Sequence, residues 1–214
     1  MHLLQPNNTY HIFNHANGFE NLFQSDENKR FFMERYVKHI VPIADTYAYC
    51  LMNNHFHLLL KIKGGEEIEK IRNQQQPSSS KVSNFGRAVV VEVEVEYFIS
   101  KQFANFFSSY TQAFNKMYGR MGSLFIKNFK REEIKNEDHF RALVVYIHRN
   151  PVHHGFCKHF SEWKFSSYNS LNQADEGDLI DRAAVFEAFG NEEACWDVHN
   201  EKLAKYLFST QLDL

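Results

Sequence analysis

The chain reads as an α+β protein built on a ferredoxin-like antiparallel sheet packed with helices. Its first sixty residues follow a strand, helix, hairpin order, which is how such a sheet opens. Apolar residues alternate at period two over residues 55–62 and recur at helical spacing over 98–118 and 140–147. At 214 residues the chain is long enough for one sizeable core.

The elements follow in order. Thr9 to Asn14 forms a first strand, closed by the turn-prone Asn17-Gly18. Ser25 can cap a helix that runs through Phe31, Phe32, Arg35, Tyr36 and Ile40 and stops before Pro42. Ala44 to Met52 is a second strand, and Asn53-Asn54 turns it into a third, giving a hairpin. Along that third strand His55 and His57 share one face, while Phe56, Leu58, Leu60 and Ile62 share the other.

Residues 64–84 change character, with Gly64-Gly65, acidic residues, three glutamines and the run Ser78-Ser79-Ser80, and read as a mobile polar loop. Ala88 to Tyr97 alternates Val with Glu, which favours an exposed strand or hairpin arm over entry into a helix. Phe98 to Tyr118 has helical spacing and ends at Gly119 and Gly122. Ser123 to Glu133 is a further strand with basic flanks. Asn136, Glu137 and Asp138 open the next helix, with Phe140, Leu143, Val144 and Ile147 as its core stripe and Pro151 as its end. Two units follow: residues 1–170, with a polar insertion at about 64–97, and an acidic extension over 171–214.

Composition narrows the function. The net charge of −2 excludes an indiscriminate basic coat for nucleic acid. The charge is uneven, however. Residues 171–214 carry 3 Lys and Arg against 10 Asp and Glu, which leaves a net +5 on residues 1–170. Solvation alone accounts for such an asymmetry as well as a partner does. Aromatics reach 15%, with 21 Phe and 10 Tyr, and either fill a core or stack on unpaired bases. Cys50, Cys157 and Cys195 are scattered and odd in number, so neither a zinc knuckle nor a disulfide framework is indicated. With no leader and no membrane-spanning run, a reducing cytoplasmic location is the expectation, and no membrane partner.

Three patterns carry chemistry. His55 and His57 side by side on a strand are half of a metal site, or two histidines in a buried strand. Lys116, Arg120, Lys127, Lys130 and Arg131 interleave with Tyr118, Phe125 and Phe129, which suits phosphates and bases, or a solvated basic edge. Tyr146 and Asn150 stand four apart and so share a helix face. Alone, Tyr146 reads as core and Asn150 as a backbone cap.

Taken together the blocks resemble the single-tyrosine His-hydrophobic-His (HUH) transposases, especially their REP-associated tyrosine transposase branch. The resemblance spans residues 9–168. It rests on Tyr10-His11-Ile12-Phe13-Asn14, on Tyr49 through Leu59, and on Phe114-Asn115-Lys116-Met117-Tyr118-Gly119 with Gly122-Ser123-Leu124-Phe125. It is completed by Tyr146-Ile147-His148-Arg149-Asn150-Pro151-Val152-His153-His154-Gly155 and by Trp163 through Tyr168. The resemblance implies the HUH endonuclease fold and a transposase that cuts and rejoins single-stranded, hairpin-forming DNA through a covalent 5′-phosphotyrosine. By position it implies Tyr146 as nucleophile, with His55, His57 and Asn150 holding a divalent ion, Mg²⁺ or Mn²⁺.

The chemistry agrees. A phenol with a pKa of about 10 needs activation at neutral pH. Nitrogen donors beside an amide oxygen favour Mn²⁺ slightly over Mg²⁺. Leu59 stands where a histidine-triad hydrolase needs its third histidine, which excludes that enzyme. A DNA-hairpin-binding protein without cleavage remains an alternative, and a monomer and a homodimer are both compatible with the sequence.

Overall fold

The computed structural model describes residues 3–75, 87–173 and 179–200, with the side chains of 87–92 left aside. Four antiparallel strands form one sheet in the order β2-β3-β1-β4, comprising β1 (Thr9–His15), β2 (Ala44–Leu51), β3 (His55–Ile62) and β4 (Lys130–Ile134). That is the ferredoxin-like order. β1 runs through the middle, so its residues face β3 on one side and β4 on the other.

Period-two alternation sorts the sheet residues onto two faces. Tyr10, Ile12, Phe56, Leu58, Leu60 and Ile62 meet helix α1 (Asp26–His39) and helix α3 (Arg87–Met117) in one core. Ser25 caps α1 as read, and Asn28 completes a reciprocal capping box by accepting from the Ser25 amide. Aromatic rings dominate this core: Phe32 makes edge or tilted contacts with Phe23, Phe56, Phe106 and Tyr110. Tyr110 donates its hydroxyl to the Leu22 carbonyl here, on the face away from the histidines.

The other face carries His11, His57 and Leu59 and is covered by helix α4 (Glu137–His153). Asn136 caps α4 through the His139 amide, as its Asn-Glu-Asp opening suggests. Pro151 does not stop the helix. A proline withholds only its own N–H, and one turn later His154 N still reaches Asn150 O at 3.0 Å.

Three readings of the middle of the chain are corrected. Residues 65–75 of the expected polar loop form helix α2 (Gly65–Gln75), anchored by buried Ile68; residues 76–84 of that loop lie outside the described residues. The Val/Glu stretch is the start of α3 rather than a strand. Its alternation is short, while Val95, Phe98, Ile99, Phe103, Phe106, Tyr110 and Phe114 make a buried helical stripe, and Glu94 pairs with Arg72 of α2. The strand expected over 123–133 begins only at Lys130. Before it the backbone turns at Asn128 (φ 65°) and touches the sheet at a single Ala16–Phe125 bridge.

Residues beyond 170 add structure up to Asn200. A short helix α5 (Tyr168–Asn172) leads on to α6 (Arg182–Phe189) and α7 (Glu192–Asn200). Asp181 N donates to Thr46 O of β2 at 2.8 Å, and Val185, Phe189 and Cys195 bury against α4 and the sheet. Residues 201–214 lie outside the described residues. No described helix is long and apolar enough to cross a membrane.

Candidate active site

β3 points His55 and His57 at α4, and the residue they meet is Asn150. His55 Nε2 lies 3.0 Å from Asn150 Oδ1, and Asn150 Nδ2 lies 3.4 Å from His57 Nε2. One helical turn earlier the Tyr146 ring stands edge-on to His57, with centroids 5.4 Å apart. All four side chains are buried. The i, i+4 spacing on α4 and the i, i+2 spacing on β3 therefore converge on one point.

Electrostatics keep the imidazoles neutral. Burial pushes the His55 pKa down to about 4 and His57 well below its ordinary value, with the neighbouring histidines adding to both shifts. A neutral imidazole is the form that binds a metal. Burial also raises the Tyr146 phenol, against a hydrogen bond with Asn150 that pulls it the other way.

Two residues that sequence reasoning did not single out hold the far sides of these rings. His55 Nδ1 lies 2.8 Å from Asn54 Oδ1, and His57 Nδ1 lies 2.9 Å from Nε2 of fully buried His11. With each Nδ1–H donated outward, both Nε2 lone pairs turn toward Asn150. His55 Nε2 and Asn150 Oδ1 are then two acceptors facing each other across 3.0 Å, a contact that a cation satisfies. The donor set of two imidazoles and an amide oxygen fits a divalent ion of the Mn²⁺ or Mg²⁺ kind. Among the described residues no group of three His, Cys, Asp or Glu is placed to share an ion, so a third protein donor to an ion held by the two imidazoles would be the amide of Asn150.

His11 also carries a cost. If its Nε2 accepts, its proton sits on Nδ1, which is buried and has no hydrogen-bond partner. In the sequence His11 is marked only as a member of the Tyr10–Asn14 block, and the pairing register that sets it beside His57 is not readable from spacing. His15 and His154 complete the surroundings, with ring centroids 4.6 and 5.0 Å from His55.

The remaining candidates separate. His148, two residues from Tyr146, faces away from the site and hydrogen-bonds Ser167 Oγ (2.7 Å) and His199 Nε2 (2.9 Å). Tyr118 lies at the end of α3, with its hydroxyl on Asn28. Lys116, Lys127 and Lys130 are exposed. Arg120 is engaged by Glu20, and the half-buried Arg131 lies over Phe129 at 4.4 Å. The five basic residues thus share one stretch of chain, but three project into solvent and two are held by their neighbours.

Comparison with protein-family models finds no match, and neither does comparison with curated proteins. Among solved structures, a REP-associated tyrosine transposase bound to a REP hairpin matches with a TM-score of 0.50 and 17% identity, over 85% of this chain and 92% of the other. At that identity the likeness is one of fold: the four-stranded antiparallel sheet with its helices is an architecture the chain shares with that neighbour.

Proposed function

We propose that the protein is a metal-dependent, transposase-like endonuclease that cuts and rejoins single-stranded DNA, with Tyr146 as nucleophile. The observation that carries this is the convergence of Tyr146, Asn150, His55 and His57 from a helix and a strand about 90 residues apart in sequence. The fold neighbour is bound to a REP hairpin, which supports hairpin-forming DNA as the partner.

In this reading Tyr146 Oη attacks the scissile phosphorus, its proton passing to solvent. The P–O3′ bond breaks, and the leaving 3′ oxygen takes up a proton as a free hydroxyl. The 5′-phosphate stays on the tyrosine as a phosphodiester, so a 3′-hydroxyl can reverse the step without ATP. His55, His57 and Asn150 would hold the divalent ion, which supplies charge neutralisation at the non-bridging phosphate oxygens. Asn54 and His11 keep the ligand tautomers fixed, and α4 presents the phenol from the ligands' own side. His15 and His154 border the open side where the phosphate would enter.

A labelled hairpin oligonucleotide with a single-stranded flank, incubated with Mn²⁺ and run on a denaturing gel, tests this directly. Wild type should give a covalent adduct and Tyr146→Phe none. An adduct that survives in the Phe variant refutes the assignment of the nucleophile. A second reading, hairpin binding without cleavage, draws on the burial of Tyr146 and its raised pKa; it predicts tight binding and no adduct with any divalent ion.

A further inference from the structure

Beside the candidate site, the loop after β1 and the segment before β4 are laced together. Asn17 donates from its backbone to Leu124 O (2.9 Å) and from its side chain to Ser123 O (3.0 Å). The Arg120 guanidinium pairs with both carboxylate oxygens of Glu20 and also reaches Asn115 Oδ1 and Ser123 O. An arginine held this way fixes the relative position of two loops.

What the loops hold out is apolar. Phe19 is fully exposed and Met121 is 91% exposed, each adjacent in sequence to one member of the ion pair. Of the ten large apolar side chains exposed among the described residues, five (Phe19, Met117, Tyr118, Met121 and Ile126) lie on these loops and the end of α3. Clustering of that kind marks a binding surface rather than scattered exposure. Lys116, Lys127 and Lys130 project from the same rim and form no ion pair with a described residue. The rim is continuous with the site. Ile126 N donates to His15 O at 2.9 Å, the His15 ring stacks on His55, and Lys130 Nζ lies 5.6 Å from the Phe13 ring, which in turn contacts His57.

We infer that this rim is a stacking platform for unpaired DNA bases, with Phe19 and Met121 against base faces and Lys116 and Lys127 on the flanking phosphates. The inference rests on the DNA reading above and adds where the unpaired strand runs. Ammonium groups interleaved with apolar side chains match a polyanion that carries apolar rings. A second copy of this chain would have to bury those same charges.

Fluorescence anisotropy of a labelled hairpin with a single-stranded flank, measured over a salt series with the full chain, tests the platform. Because both side chains are exposed, Phe19→Ala with Met121→Ala should leave the melting temperature unchanged while weakening binding about five-fold or more for each base that no longer stacks. The slope of log affinity against log salt should stay as in wild type. Lys116→Ala with Lys127→Ala should instead flatten that slope, by roughly 0.7 for each phosphate that is no longer neutralised. A 2-aminopurine in the flank should be quenched by wild type and not by the Phe19/Met121 variant. Equal binding by that variant overturns the platform and leaves the DNA reading standing, as does weaker binding that comes with a flattened slope. A change in sedimentation mass with unchanged DNA affinity makes the patch a self-association surface and overturns it too. Wild type that binds no such oligonucleotide removes both readings together.

Discussion

Nε2 of His11 on β1 lies 2.9 Å from Nδ1 of His57 on β3, in the buried layer between the sheet and α4. This contact makes β1 part of the candidate metal centre. A ligand imidazole whose far nitrogen is held cannot rotate, and its tautomer is set by that partner.

His11→Asn should therefore keep an acceptor within reach of His57, and His11→Leu should remove it. The expected loss of Mn²⁺ affinity is about 10- to 100-fold for Leu and smaller for Asn, as is usual for groups that orient a ligand. Titration calorimetry with Mn²⁺ measures it without any turnover, and circular dichroism confirms that both variants fold. Affinity equal to wild type in His11→Leu would show that His57 needs no support from β1.

Tyr146→Phe should abolish the covalent adduct while leaving Mn²⁺ affinity within about two-fold, since a phenol that acts on phosphorus is not needed as a ligand. Asn150→Ala should weaken Mn²⁺ binding, and Asn150→Asp, which adds a carboxylate, should strengthen it. Unchanged metal affinity in Asn150→Ala would remove the amide from the ligand set.

Stability should fall on acidification. Burial holds His11 at about 3, and His55 and His199 at about 4, against 6.5 for the free side chain. The unfolded chain therefore binds more protons than the folded one between those values. Stability contributed by these neutral histidines is fully present above about pH 6.5 and drains away as pH drops toward 4, at about 1.4 kcal/mol per unit for each group. Urea denaturation followed between about pH 7.5 and 5 should show the midpoint dropping. A midpoint that rises as the pH falls would contradict neutral burial.

The C-terminal helices should matter to the whole fold. Phe189→Ala removes a ring buried between α6 and the α4 layer and should cost about 3 kcal/mol, read as a lower urea midpoint in one cooperative transition. A separate early transition would mean that α6 and α7 dock independently of the sheet.

Much of this architecture is legible in the sequence because local chemistry and global fold agree. Ser25 with Asn28, Asn136 with its acidic neighbours, and the Asn53-Asn54 turn all specify their elements within four residues. The face assignment of β3 needs only its alternation. The Val/Glu stretch misleads because a period-two pattern of a few residues competes poorly with a 31-residue helix whose stripe includes Val95, Phe98 and Ile99. Of the candidate site, His55, His57, Tyr146 and Asn150 are legible from spacing and family resemblance. His11 and Asn54 are not, because their roles depend on strand register and ring orientation. Neither the Glu20–Arg120 pair nor the outward turn of Phe19 has a local signature, since the partners are 100 residues apart.

The placement of Tyr146 opposite His57 within one chain bears on assembly. In the proposed reading one chain supplies both nucleophile and ligands, so the reaction order in protein should be one, and subunits should not complement each other. A mixture of Tyr146→Phe and His57→Ala proteins would stay inactive at any ratio, whereas recovered adduct formation would reveal helices exchanged between partners. Under that reading the chemistry at each DNA end is left to a single polypeptide.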